Sequence, residues 1–338
     1  MRFFSRLLAS LALILLLLGG GGYYALYLRP VAMPEAGVEF RIPPGTGPRG
    51  IAAILARAGA QVHPEWFLLA TRLEGQSGRL KAGTYRLEPG TSLSGLVRLL
   101  ASGKALQVEV RLIEGWTFRA WRRTLDAHPG LEHVTAPLSE AELMARLGLT
   151  GVAPEGLFFP DTYRVDKYSS DLELLERAAQ AMQTHLEREW DRREANLPYQ
   201  NAYEALILAS IVEKETGLAA DRSRVAGVFV NRLRLGMRLQ TDPTVIYGLG
   251  TRFDGNLRKA DLLADTPYNT YTRMGLPPTP IAMPGLDSLR AALHPAQTGA
   301  LYFVARGDGS SQFSATLEEH NQAVQQYQRR GRAVEGAS

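Results

Sequence analysis

The spacing of apolar and polar residues changes along this chain, and each change predicts a different element. Residues 7–28 contain no charge, and these 22 positions are enough to cross a hydrocarbon core that takes about 20. Arg2, Arg6 and the terminal amine precede the run, whereas Arg29 is soon followed by Glu35 and Glu39. Positive charge stays on the cytoplasmic side, so the pattern predicts the N-terminus inside and residues 29–338 outside. A cleaved signal peptide is the alternative, with 7–18 as its apolar region and Gly20-x-Gly22 as its cleavage site. The apolar run resumes at 23–28, where Tyr23, Tyr24 and Tyr27 suit an interfacial belt, and this favours a retained anchor.

Residues 29–39 carry two prolines and no periodicity, which reads as a short linker. One pattern then recurs: "FRIPPGTGPRGIAAILARAG", "YRLEPGTSLSGLVRLLASG" and "VRLIEGWTFRAWRRTLDAH". Each copy is a β-favouring triplet, then Gly45, Gly90 or Gly115, then an amphipathic stretch of helical period. The glycine supplies the tight turn, and Thr46, Ser92 or Thr117 is placed to cap the helix that follows. These strand–turn–helix units are similar to the carbohydrate-binding lysin motif, which would imply glycan binding by residues 40–130. An ordinary strand-to-helix connection uses glycine and threonine in the same way.

Beyond 130 the period is mainly helical. Ser139-Glu-Ala-Glu starts a helix within 136–150, "PEGLFFPDTYRV" (154–165) is an apolar aromatic turn, and a long helix spans about 172–194. Helical period returns at Ala202, and after Gly236 the chain is rich in Pro, Gly, Tyr and Asn, the composition of loops that carry binding residues. A strand, "LYFVA" (301–305), and a polar helix near 317–329 close the pattern. The predicted class is α+β: a cytoplasmic tip and anchor (1–28), a linker (29–39), an α/β region (40–130) and a mainly helical domain with long loops and a short sheet (131–338).

Composition changes this picture little. The hydrophobic share of 45% and charged share of 21% fit a globular core. The net charge of +4 is scattered rather than gathered on one element, which argues against nucleic acid as a partner. No cysteine is present, which excludes disulfides, thiolate nucleophiles and Cys-ligated zinc, and the six histidines form no ligand pair at helical or loop spacing.

The candidate chemistry begins in "LASIVEKETG" (208–217). With 208–216 helical, Leu208, Ile211, Val212 and Glu215 fall at i, i+3, i+4 and i+7 on one face. Glu213 falls about 200° away, with Ser210 and Thr216 on the more polar side. An acid that finishes an apolar stripe is desolvated and its pKa raised, as a general acid on a glycosidic oxygen requires. On these ten residues alone, an exposed Glu-Lys-Glu run at a frayed helix end explains the pattern at least as well. Downstream, Asn231, Arg232, Gln240, Thr241, Asp242, Tyr247, Tyr268, Asn269 and Tyr271 gather amides, hydroxyls and aromatic rings in turns, as a sugar-binding groove would.

"IVEKET", "VFVNRLRLGMRLQTDPTVIYG", "PYNTYTRMGLPPTPIAMPG" and "LYFVARGDG" resemble the membrane-bound endolytic murein transglycosylases of bacteria, and "KAGTYRL" and "EGLFFPDTY" extend the likeness upstream. The resemblance implies that Glu215 is the essential acid, since it matches the second glutamate of the family's motif. It also implies lysis of glycan strands without water and without a cofactor. Glu215 would protonate the leaving glycosidic oxygen and then, as carboxylate, take the proton of the muramoyl C6 hydroxyl as that oxygen closes a 1,6-anhydro ring. An enzyme of this kind would sit in the inner membrane, act in the periplasm and be expected to meet peptidoglycan synthases. Two other readings stand beside it. A hydrolase would pair Glu215 with Glu155, Asp161 or Asp242, and a tethered peptidoglycan-binding protein would leave Glu215 inert.

Overall fold

The computed structural model describes residues 2–329. The chain divides into two compact units. The first comprises Met1–Glu109 with Arg164–Ser169, and the second Val110–Tyr163 with Ser170–Ser338.

In the first unit α1 (Arg2–Tyr23) runs on into a π-helical turn, Tyr24–Leu28. The leucines between positions 7 and 18 are all more than half exposed. Leucines left outside a protein core are what a lipid-facing segment shows, and the span of 25 residues, Phe4–Leu28, is long enough to cross a membrane. Leu26, by contrast, is buried in the unit's own core. Residues 29–37 are not the free linker that their prolines predicted. The Val31 N–H donates to the Thr91 carbonyl at 2.9 Å and the Gln61 N–H to the Ala32 carbonyl at 2.8 Å, and Val31 itself is buried. Backbone pairing with partners far along the chain leaves no local periodic signal, which is why the segment looked unstructured.

Strand β1 (Val38–Ile42) alternates buried and exposed side chains and leads through Gly45 to α2 (Pro48–Arg57) and α3 (Pro64–Leu73). Strand β2 (Gly83–Leu87) pairs antiparallel with β1 in the register Val38↔Leu87 to Ile42↔Gly83, and α4 (Leu93–Ser102) follows. Phe40 and Tyr85 from the strands pack with Ile51, Leu55, Phe67 and Leu96 from the helices. The recurring turn is real: Gly45, Gly90 and Gly115 have φ of 76°, 85° and 74°, a region glycine enters without cost. Ser92 caps α4 by accepting from the Gly95 N–H at 3.2 Å. Thr46 does not cap α2. Pro48 occupies the first turn of that helix, Gly47 becomes its cap, and the Thr46 hydroxyl donates to the Pro43 carbonyl at 2.7 Å instead.

The chain passes to the second unit within β3 (Gln107–Leu112). The third copy of the pattern, with α5 (Phe118–Asp126) capped by Thr117, therefore belongs to the second unit. The boundary lies in a strand and not near residue 130, where the loss of strand–turn–helix pattern had placed it. Strand β4 (Leu131–Glu132), α6 (Glu140–Arg146), β5 (Asp161–Asp166) and β6 (Ser169–Ser170) come next, with Ser139 and Glu142 forming a reciprocal cap on α6. Ser170 then caps the long α7 (Asp171–Asp191).

The core of the second unit is α8 (Ala202–Glu215) packed against α9 (Ala219–Arg234) and α12 (Leu286–Leu293), with the short helices α10 (Asp242–Leu249) and α11 (Lys259–Leu263) in between. A β-carbon on Gly227 of α9 would stand 2.6 Å from the Ala296 carbonyl oxygen, so only glycine allows that approach. Strands β7 (Tyr302–Ala305) and β8 (Ser311–Ser314) form an antiparallel hairpin, followed by α13 (Leu317–Val324). The predicted α+β class holds. The mainly helical domain carries its long loops between α10 and α12, and residues 330–338 of that predicted domain lie outside the described residues.

Candidate active site

Every residue of α8 from Ala205 to Val212 is buried, so this is a central helix and not one with a single apolar stripe. Ser210 does not mark a polar side: it is fully buried, donating to the Ile207 carbonyl at 2.7 Å and accepting from the Ile281 N–H at 3.0 Å. The helix ends where Thr216 turns to extended backbone (φ −144°, ψ 128°). The three charged residues at this end diverge. Glu213 accepts the Gly285 N–H at 2.9 Å, at the start of α12, and Lys214 donates to the Gly115 carbonyl at 3.1 Å. Glu215, only partly exposed, accepts a hydrogen bond from the Thr241 hydroxyl.

Thr241 is held rigidly for this purpose. Gln240 before it adopts φ 50°, the left-handed kink that turns the chain into α10, and its N–H donates to the Thr270 carbonyl at 3.1 Å. The Thr241 N–H donates to the Thr270 hydroxyl at 3.1 Å, while its carbonyl accepts the Thr244 hydroxyl at 2.8 Å. Asp242, next in sequence and exposed, accepts from the Tyr271 hydroxyl at 2.6 Å. Burial pushes the Glu215 carboxyl above its ordinary pKa. The Thr241 hydrogen bond opposes the shift, the Asp242 charge adds to it, and the Arg232 charge opposes it. Thr241, Asp242 and Tyr271 thus converge on Glu215. Gln240 contributes through its backbone, with its side chain in solvent.

The chain neighbours of this group, Lys214 and Pro243, line a cavity of about 910 Å³ with Ile246 and Tyr247. Pro243, Ile246, Tyr247 and Gly250 all line it, the i, i+3, i+4, i+7 face of α10 and the residue after it. Tyr247 and Tyr268 meet edge to face at 4.9 Å, and the Tyr268 hydroxyl bonds Thr279 at 2.9 Å. Glu155, 5% exposed, forms part of the wall and accepts the Phe118 N–H at 3.0 Å. Burial raises its pKa to about 7 against the hydrogen bonds from Phe118 and Tyr247. The sequence marked Glu155 only as an available acid. Its one local signal is its place in the apolar, proline-flanked run "PEGLFFP".

That burial has a measurable consequence. Between the unfolded carboxyl's pKa of 4.5 and about 7 the folded chain holds a proton that the unfolded chain has lost, so stability falls as pH rises through this window. The full loss is on the order of 3 kcal/mol at 1.36 kcal/mol per pKa unit. Glu155→Gln should abolish that drop, so that its melting temperature relative to the unmodified chain rises between pH 4.5 and 8. A parallel pH dependence in the two proteins would contradict the burial argument.

The remaining expected site residues do other work. The Asn269 side-chain amide, fully buried, donates to the carbonyls of Asp261, Leu262 and Ala264 at 3.2, 3.1 and 2.7 Å, and its oxygen accepts the Tyr271 N–H at 2.8 Å. Asn231 donates to the Thr298 and Ala300 carbonyls at 2.7 and 3.1 Å. Arg232, 8% exposed, donates to the Leu301 and Leu239 carbonyls at 2.7 and 2.8 Å. These three side chains bind the protein's own backbone. Asp161 is exposed, with its carboxylate on the Thr162 N–H at 2.6 Å. Among the described residues no three His, Asp or Glu side chains gather as metal ligands.

Residues 40–326 match the YceG-like family. An endolytic murein transglycosylase of Bacillus subtilis is 34% identical over 86% of this chain and 84% of its own length. Its namesake in Streptococcus pneumoniae is 27% identical over 86% of this chain, which spans 58% of that relative. A crystal structure of a YceG-like protein from Listeria monocytogenes, 28% identical, aligns with 86% of this chain and 99% of its own at a TM-score of 0.55.

Proposed function

This chain belongs to the YceG-like family, and from that premise we propose that it is a lytic transglycosylase of peptidoglycan. The observation that carries the reading is Glu215: a desolvated carboxyl at a helix end, held by Thr241 beside a cavity of ligand size. A carboxyl whose pKa is raised by burial keeps its proton long enough to deliver it to a leaving oxygen. In the proposed reaction Glu215 gives its proton to the oxygen of the MurNAc–GlcNAc β-1,4 bond. As the bond breaks, the muramoyl C6 hydroxyl attacks the anomeric carbon and surrenders its proton to the Glu215 carboxylate. The products are a GlcNAc hydroxyl and a 1,6-anhydro ring, and the glutamic acid is restored without water. Since the sugar carries its own nucleophile, no second carboxylate at hydrolase spacing is needed. Cleavage within nascent strands would limit strand length during wall synthesis, and the murein transglycosylase relatives named endolytic support that reading.

Asp242 favours a second reading, because its charge reaches Glu215 and a hydrolase would use it to activate water. The chemical form of the new chain ends separates the two. Lysis leaves anhydro ends and hydrolysis leaves reducing ends.

The apolar helix supports a single-pass anchor with the cytoplasm at its N-terminus and the second unit in the periplasm, where the glycan strands and their synthases are. Membrane fractionation with N-terminal sequencing should find the chain in the inner membrane with residues 1–28 attached. A mature form beginning near Tyr23 and released by washing would contradict the anchor.

A further inference from the structure

We propose that the cavity beside Glu215 is an anion subsite, in which Arg119 and Arg123 receive the carboxylates of the peptide stem carried by the muramoyl residue. This rests on the transglycosylase reading, because the glycan strand supplies the stem.

Arg119 and Arg123 are four residues apart, on one face of α5, and both line the cavity. Arg122, on another face of the same helix, donates to the Thr135 and Leu138 carbonyls at 3.0 and 3.2 Å. Arg119 and Arg123 have no such use. Both are exposed, and neither guanidinium has a hydrogen bond or ion pair among the described residues, although Arg119 feels the charge of Glu155. Two long side chains kept at a cavity wall without protein partners present ten N–H donors between them, in the fork geometry that matches carboxylates.

The charges around the cavity agree. Arg119, Arg123 and Lys214 share its wall with Glu140 and Glu155. Glu155 adds less than a full negative charge at neutral pH, so the wall is net basic. The cavity volume of about 910 Å³ lies near the top of the range of about 300–1,000 Å³ for ligand pockets, more than one sugar ring needs. Its wall includes Lys214 and Pro243, the chain neighbours of Glu215 and Asp242, and the proposal takes that wall as the place where a substituent of the sugar at Glu215 lies. A muramoyl residue carries such a substituent, a lactyl-linked peptide with free carboxylates.

The test compares cleavage by the full chain of uncrosslinked strands bearing peptide stems with cleavage of strands stripped of stems by an amidase. The unmodified protein should show a lower KM for the stemmed strands, and the advantage should shrink as salt rises. Arg119→Gln with Arg123→Gln should raise KM for stemmed strands at least about tenfold, the scale of one lost hydrogen bond to a charged group. The stemmed-to-stripped ratio should fall toward one, with kcat changed much less. Arg123→Gln alone, at an exposed position, provides the same readout if the double variant folds poorly. An unchanged ratio in these variants would overturn the subsite, as would an unmodified protein indifferent to stems. Failure of the unmodified protein to cut either strand would overturn the transglycosylase reading itself, and the subsite with it.

Discussion

Glu215→Gln should lower glycan turnover by about 10²–10⁴-fold, the usual loss on removing a general acid–base group. Glutamine keeps the length and planarity of the side chain, and its oxygen can still accept the Thr241 hydroxyl, so the loop at 240–241 stays in place. What it cannot do is deliver a proton to the leaving oxygen and take another from C6. Melting temperature should be unchanged or slightly higher, because a carboxyl destabilised by burial has been replaced by a neutral amide. Glu213→Gln is the control. Glu213 holds the Gly285 N–H, a bond an amide oxygen can also accept, so this variant should lose far less turnover. If Glu213→Gln abolishes activity while Glu215→Gln retains it, the assignment of the acid is wrong.

Asn269→Ala should lower stability by about 2–4 kcal/mol, from the loss of one buried amide that serves three carbonyls and one N–H. In a unit of this size that corresponds to a fall in melting temperature of about 5–15 °C. Activity should fall with it for a structural reason. Asn269 ties down the loop that carries Thr270, and Thr270 fixes Thr241 against Glu215. Turnover measured well below the new melting temperature should recover more than turnover measured near it. A variant with unchanged melting temperature and weakened glycan binding would instead support the earlier expectation that Asn269 faces the substrate.

The contrast between these two residues shows what the sequence could reveal. The desolvation of Glu215 was legible because a helix has a fixed period, and a carboxyl continuing an apolar run must lose solvent wherever the helix packs. The single apolar stripe was an incomplete picture, since α8 is buried on all sides and Glu213 is also held by the protein. The glycine turns at 45, 90 and 115 were legible because each is a local requirement of the backbone. That Asn231, Arg232 and Asn269 bind backbone carbonyls was not legible, for the opposite reason. An amide or guanidinium in a loop-rich region looks the same whether it meets a sugar or a carbonyl. For Asn231 and Arg232 the partners that decide, Thr298 and Leu301 among them, are at separations of 67 and 69. Those of Asn269 are close in sequence but lie at the end of α11, a helix too short for its period to report. Tyr247 and Tyr268 were read as groove residues and line a cavity, but the arginines in the same wall carried no motif and went unmarked. The domain boundary failed in the same way, because compactness is a property of non-local contacts that a repeating local pattern cannot report.

The reaction proposed for Glu215 is tested most directly by mass spectrometry of the ends formed when the full chain cuts uncrosslinked glycan in water enriched in heavy oxygen. Lysis predicts muramoyl ends one water lighter than reducing ends, with no heavy oxygen incorporated, and none of these ends with Glu215→Gln. Reducing ends carrying heavy oxygen would show that water is the nucleophile and would contradict the account.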